Sequence, residues 1–403
     1  MRHLTAATAT LLLIGAGTAA VSPAYAAVAT CRGQAATIVA TADGENLQGS
    51  EDADVIVVGS FDQVHVDGNG GDDVICATAG HDAVLDGGPG SDVLEDLPST
   101  RKVEDNERTT LRGGDAGDDQ FIGGRDTQLS YGDSETGVAF DLVAGTVVHA
   151  GGTDTVDGIR WLSGSAHPDT FRGSSGPDLY RAGPGDQVAM GAGVDFVDSY
   201  GATVDLGSGD DSGSVTGGTM DGGDGADVIS VNQGGTADGG AGRDVVAGFV
   251  DVDELSGRGP ILLRGGPGND VLWPPVAYST DASSGDDLGD CPGFCARGAL
   301  DGGSGTDRLD VAGAGSSVVD LRSGRVRFVG GRSSITAVEN VRGSKRRDII
   351  RGDGHANRFD GYGGDDLLVG RGGPDRLLGG AGRDRAVGGP GHDHCVAERK
   401  SSC

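Results

Sequence analysis

GGAGRDRAVGGPGHDHC, residues 379–395, carries Gly-Gly-x-Gly-x-Asp twice, nine residues apart, and closes on Cys395. Six residues with three glycines form a tight loop, because glycine accepts positive φ and lets neighbouring backbones approach. Such a loop turns carbonyl oxygens inward, and the aspartate at its sixth place adds a carboxylate. The seventh to ninth residues then make a short strand with one side chain, at the eighth place, directed into a core. A strand that short cannot bury its face alone, so the unit predicts stacked copies that share a thin continuous core.

Working outward, the strict pattern recurs from Gly87, Gly222, Gly239, Gly265, Gly302, Gly379 and Gly388, with near matches from Gly68, Gly361 and Gly370. An apolar residue follows two places after the aspartate, as in Ile75, Leu94, Ile229, Val246, Leu272, Leu309, Leu368 and Leu377. Six uninterrupted nonapeptides fill residues 343–396, which predicts three coils stacking to about 14 Å at ordinary strand spacing. Oxygen-only ligands in a pliable loop select a hard cation. Calcium accepts about six to eight oxygens in loose geometry, magnesium demands near-ideal octahedra, and zinc prefers Cys and His. The eight histidines show no ligand spacing, so the loops point to several Ca2+ ions. The candidate ligands are the sixth-place aspartates Asp54, Asp73, Asp82, Asp92, Asp119, Asp169, Asp178, Asp195, Asp227, Asp244, Asp270, Asp307, Asp348, Asp366, Asp375, Asp384 and Asp393. Degraded copies, such as the one around Asp186, read as spacers.

These repeats resemble the RTX, or haemolysin-type, calcium-binding repeat family, and the resemblance covers most of the chain after its leader. It implies an all-β fold: a right-handed parallel β-roll or β-helix solenoid built from nonapeptides, two to a coil, with calcium between the loops of neighbouring coils. Loops on one edge then lie eighteen residues apart, which pairs Asp348 with Asp366, Asp366 with Asp384, and Asp375 with Asp393. Asn357 takes the sixth place of one repeat and predicts a weaker site. The opening from Cys31 also resembles that of secreted actinobacterial members. RTX toxins use a carboxy-terminal export signal and avoid cysteine; this chain departs from both habits.

Composition agrees with a need for cations. Of 61 acidic residues 52 are Asp, 78 of the 403 residues are Gly, and the formal net charge is −30. A chain so acidic and glycine-rich repels itself and loses much entropy on ordering, so alone it predicts disorder. The acidity argues against a nucleic-acid partner, and Lys345-Arg346-Arg347 reads as a solvated loop. Residues 1–26 read as a secretory signal peptide cleaved after Ala24-Tyr25-Ala26, which predicts an extracellular protein, and no later stretch suits membrane insertion.

In a secreted chain six cysteines imply disulfides, with fifteen connectivities open. Proximity favours Cys31–Cys76, Cys291–Cys295 within CPGFC, and Cys395–Cys403. The last would fold the tail over the open end of the stack as a cap.

The chain divides into amino-terminal repeats (27–96), a charged linker or loop (97–110), a repeat with a β spacer (111–163), central repeats (164–275), an excursion (276–298), a second repeat with spacer (299–342), the six-repeat roll (343–396) and the cap (397–403). The spacers share a Val-Asp-Leu-type core and alternate as strands; within them Asp141 and Asp320 read as turn formers. Neither His-Glu-x-x-His nor Gly-x-Ser-x-Gly occurs, and Gly209-Asp-Asp-Ser-Gly-Ser sits in repeat context. The expected function is non-catalytic: a secreted calcium-binding protein whose folding is coupled to the ion. The alternatives are a calcium-dependent adhesion or matrix module with a protein or glycan partner, and a hydrolase with a calcium-stabilised roll.

Overall fold

Successive short strands alternate between two parallel sheets that face each other across one side chain per strand. The computed structural model describes residues 29–78, 82–97, 108–114, 116–124, 126–251, 260–278, 296–329 and 331–403. The expected leader, most of the 97–110 linker, and Cys291 and Cys295 lie outside them. The front sheet runs from Ile38–Val39 through Val55–Gly59, Val74–Thr78 and Val93–Leu97 to Arg399–Ser401. The back sheet runs from Asn46–Gln48 through His65–Asp67 and Val84–Asp86 to His394–Val396. This is a parallel β-roll solenoid. Repeats resume after the linker at Thr109, slightly before the expected boundary.

Register makes the core a column. On the back sheet Leu85, Leu111, Leu129, Leu162, Tyr180 and Val197 stack directly, each fully buried. Further along, Leu309, Val341, Phe359, Leu377 and Cys395 continue the column. Gly213 interrupts it, and Met220 from the front sheet fills the space. At the carboxy terminus the front column passes from Ile350, Leu368 and Ala386 to exposed Lys400, so the last strand presents no apolar face.

The two β spacers build the same device. In the first, Ala139–Asp141, Thr146–His149 and Gly152–Asp157 form an antiparallel meander that joins the front sheet between Gln120–Ile122 and Thr170–Arg172. In the second, Ser317–Asp320, Arg325–Phe328 and Gly331–Thr336 lie likewise between Ala296–Asp301 and Ile349–Arg351. Meanwhile the back sheet passes straight from Thr127–Ser130 to Trp161–Ser163. Each spacer thus puts three strands where the coil needs one, widening the front by about 10 Å at ordinary strand spacing. Aromatic rings fill the widened core at the first spacer. Phe140 meets Tyr131, Phe171 and Tyr180 at centroid distances of 5.5, 6.0 and 5.8 Å, and Phe171 stacks on Tyr180 at 4.4 Å.

Both ends are stapled. The hairpin of Thr30–Cys31 and Gln34–Ala35 packs on the outer face of the front sheet, where the Cys31–Cys76 disulfide and Val57 make a small second cluster. At the other end Cys395 bonds Cys403, with Cα atoms 5.8 Å apart.

Phe140 contacts three other rings, so Phe140→Ala should lower unfolding free energy in saturating calcium by about 3–5 kcal/mol. Urea titration followed by circular dichroism checks this; a loss under about 1 kcal/mol would mean the spacer is not a packed part of the core.

Candidate metal centres along the loop edges

Strand-to-strand loops fall on two edges of the roll, and the sixth-place aspartates bind their neighbours there. Beyond the first aspartate of a row, each carboxylate Oδ1 accepts the backbone N–H of the corresponding residue one coil earlier. On the edge leading into the front sheet the amides of Asp54, Asp73 and Asp92 donate to Asp73, Asp92 and Asp119 at 2.8–2.9 Å. On the edge leading into the back sheet a row runs from Asp178 through Asp195, Asp211, Asp227, Asp244 and Asp270 to Asp307. In the carboxy-terminal roll both edges carry rows: Asp348, Asp366 and Asp384 on one, Asn357, Asp375 and Asp393 on the other.

A rung holds while the chain between rungs varies. Successive partners are 16 or 17 residues apart in the central repeats, not the expected eighteen. They are 26, 37 and 32 apart where excursions and the second spacer intervene. In the central repeats the opposite edge is a tight turn with Gly201 or Gly217 at positive φ, which accounts for the shorter coil.

The second carboxylate oxygen separates two kinds of loop. In one kind it is buried with no partner: Oδ2 of Asp73, Asp92, Asp195, Asp211, Asp227, Asp244, Asp270, Asp307, Asp366, Asp375, Asp384 and Asp393 all have this state, in loops whose second residue is Gly, Asn, Tyr or Arg. In Gly-Ser loops the serine N–H takes it instead, as in Ser50 to Asp54, Ser165 to Asp169, Ser174 to Asp178 and Ser344 to Asp348. Each of these four aspartates begins a row. A row's end is also closed by protein groups. Asp154 accepts from the Tyr131 hydroxyl and lies 3.2 Å from His149 Nε2, while Asp186 accepts from the Tyr180 hydroxyl at 3.2 Å. Glu339 and Glu398 close two others by accepting the amides of Asp307 and Asp384.

The open oxygens face carbonyls. A methyl group on Gly265, the first residue of its loop, would lie 2.5 Å from the Gly302 carbonyl oxygen and 2.6 Å from Asp270 Oδ2. One small space therefore has a buried carboxylate oxygen on one side and the next coil's carbonyl on the other, and glycine keeps it clear. Gly242, at the fourth place with φ +156, lets its loop settle onto the Gly225 carbonyl. Among the described residues no three His, Cys, Asp or Glu side chains converge on one point. The donor set is therefore one carboxylate oxygen with main-chain carbonyls, which suits a hard cation of loose geometry and so fits calcium.

Burial decides the electrostatics. It pushes the carboxyls of Asp92, Asp119, Asp244 and Asp366 up to about 7 and those of Asp195, Asp227, Asp307 and Asp375 to about 6. The amide that each accepts pulls the other way, and neighbouring aspartates add to the rise. Asp54, whose carboxylate is taken up by the amide of Ser50, is held below its ordinary value.

Compared with the expected ligands, Asp82 stands outside the rows. Leu85 rather than Val84 faces the core, so Ala83 holds the sixth place, and Asp82 sits half-buried one residue ahead at φ +57. Asp141 and Asp320 hold turns and pair with Arg172 and Arg371. Asp154, Asp186 and Asp211 belong to the rows although none of them closes a Gly-Gly-x-Gly-x-Asp motif. Asp186 is therefore a rung, not a spacer. Asp211 is masked in sequence because glycine, Gly213, follows at the core place; only counting in steps of sixteen would find it.

Replacing Tyr131 by Phe leaves a buried Asp154 oxygen without its hydroxyl donor and should cost about 1–3 kcal/mol in saturating calcium, measured by urea titration. A second test concerns pH. The raised carboxyls bind protons more readily in the folded chain than in the unfolded one, where 3.8 is ordinary. In the ion-free chain their stabilisation is fully present below about pH 4 and is lost as pH rises through about 6 to 7. With chelator present, the far-UV β signal should therefore be larger near pH 5 than near pH 8; the opposite order would contradict the burial of these groups.

A family model for the RTX calcium-binding nonapeptide repeat, describing four copies, matches residues 49–84, 337–368 and 360–395. No curated protein matches the chain significantly. Those segments contain the open carboxylate oxygens of Asp73, Asp366, Asp375, Asp384 and Asp393. Over those segments the chain carries RTX calcium-binding nonapeptide repeats.

Proposed function

We propose that this is a secreted, non-catalytic protein whose β-roll folds when calcium enters the open loops. The observation that supports this best is the row of buried, partnerless Oδ2 atoms opposite glycine carbonyls. A buried carboxylate without a counter-charge costs several kcal/mol, so rows of them oppose the ion-free fold. Calcium, when bound, supplies that counter-charge and further coordination for the carbonyls. The chain's own residues do the rest. Oδ1 ties these aspartates to the previous coil, glycine keeps the space clear, Gly-Ser loops begin four rows and tyrosine hydroxyls close two.

Binding free energy then becomes folding free energy. Extracellular calcium modules bind at about 0.1–1 mM, so a chain leaving a calcium-poor cytoplasm would fold on arrival outside. Residues 1–26, read as a leader, fit that route.

Far-UV circular dichroism of residues 27–403, titrated with calcium and then with magnesium, tests the reading. A coil signal that converts to β near millimolar calcium, and not with magnesium, is the expected result. β structure that persists in excess chelator would sink the coupling. The two kinds of loop give a sharper contrast. Asp366→Asn should raise the calcium midpoint several-fold, whereas Asp54→Asn, at a carboxylate already taken up by Ser50 and Thr37, should leave it within about twofold.

A further inference from the structure

Against a net charge of −30, one stretch of the outer back sheet is basic. The first residue of each three-residue strand points outward. In register these residues run Val271, Arg308, Asn340, Arg358, Arg376 and His394. Arg308 and Arg376 are three strand steps apart, about 14 Å along the axis. A groove of about 430 Å³ opens here, lined by Arg243, Arg308, Arg342 and Arg358 with Thr306 and Asn340. Two aspartates, Asp270 and Asp360, line it against the four arginines, and a third, Asp310, pairs with two of those arginines.

Those aspartates do not use up the guanidinium donors. Asp310 is buried and is shared by Arg308 and Arg342, each at 3.6 Å. Asp270 Oδ1 is committed to the Asp244 amide. Among the described residues the guanidinium groups of Arg243 and Arg358 have neither a hydrogen bond nor an ion pair, and Arg308 Nε is buried without an acceptor. The Arg342 guanidinium lies over the Tyr362 ring at 4.7 Å, which holds its plane. A buried donor lacking an acceptor, beside free planar forks, calls for oxyanions supplied from outside.

We propose that this groove binds an anionic polysaccharide bearing carboxylate or sulfate groups. A column of guanidinium groups along the axis matches a linear polymer better than a single small ion. The same outer face continues past Trp273, 44% exposed, to Val228 and Phe196, 49% and 43% exposed, flat apolar surface on which sugar rings stack.

The test uses the full calcium-loaded chain and isothermal titration with an oligogalacturonate, a heparin-derived oligosaccharide, a neutral oligosaccharide and inorganic sulfate. Binding of either acidic oligosaccharide but not the neutral one is expected, weakened at least about tenfold in R342Q/R358Q. The calcium-induced circular dichroism of that variant should match the parent, which separates loss of the groove from loss of the fold. If the variant misfolds, R358Q alone should weaken binding about threefold or more. No binding of either acidic oligosaccharide, undiminished binding by the correctly folded variant, or sulfate binding as tightly as the polymers would overturn the proposal.

Discussion

Each coil is tied to the one before by a carboxylate oxygen that accepts the N–H of its counterpart. The rest of the architecture depends on that bond. A three-residue strand with one inward side chain contributes little apolar burial, and parallel pairing of so few residues fixes register weakly. The rung fixes it at the loop, before the strand begins, so Leu309 meets Val341 rather than a residue one place away. It also brings a second carboxylate oxygen out of water at every turn. The interaction that aligns the coils therefore creates the charge problem that the loops must solve.

The chain solves it in three ways, and each is local. In the open loops the oxygen faces a carbonyl across a space that the first glycine keeps clear. In Gly-Ser loops the serine amide takes it. At the ends of two rows a buried tyrosine hydroxyl donates to it. The difference between a first rung and a middle rung can thus rest on the second residue of the loop.

Much of this was legible in the sequence, because the nine-residue period states loop, ligand and core residue together. The roll, its shared column, the terminal disulfide and most of the rung aspartates follow from that period. The edge on which a row lies does not, since both edges use the same motif and only the count of half-coils tells them apart. The shift of the row from the front edge to the back edge between Asp169 and Asp178 is invisible for that reason. Asp154 was hidden by lying within a strand rather than a glycine loop, and Asp82 misled because an apolar residue happens to stand two places after it. The arginine groove gathers strands from residues 243 to 358, and nothing local in the sequence announces that they are neighbours.

Partners on successive rungs are separated by as few as 16 residues and as many as 37 while the hydrogen bond between them stays at 2.7–2.9 Å. A cut through the roll between any two such rungs exposes like faces on both halves. A whole coil can then be duplicated or lost, and the remaining halves meet as before. Loop closure grows only slowly with length, so a segment inserted between rungs is tolerated almost as easily. A gene for such a chain can change length in steps of one coil without passing through an unfoldable intermediate.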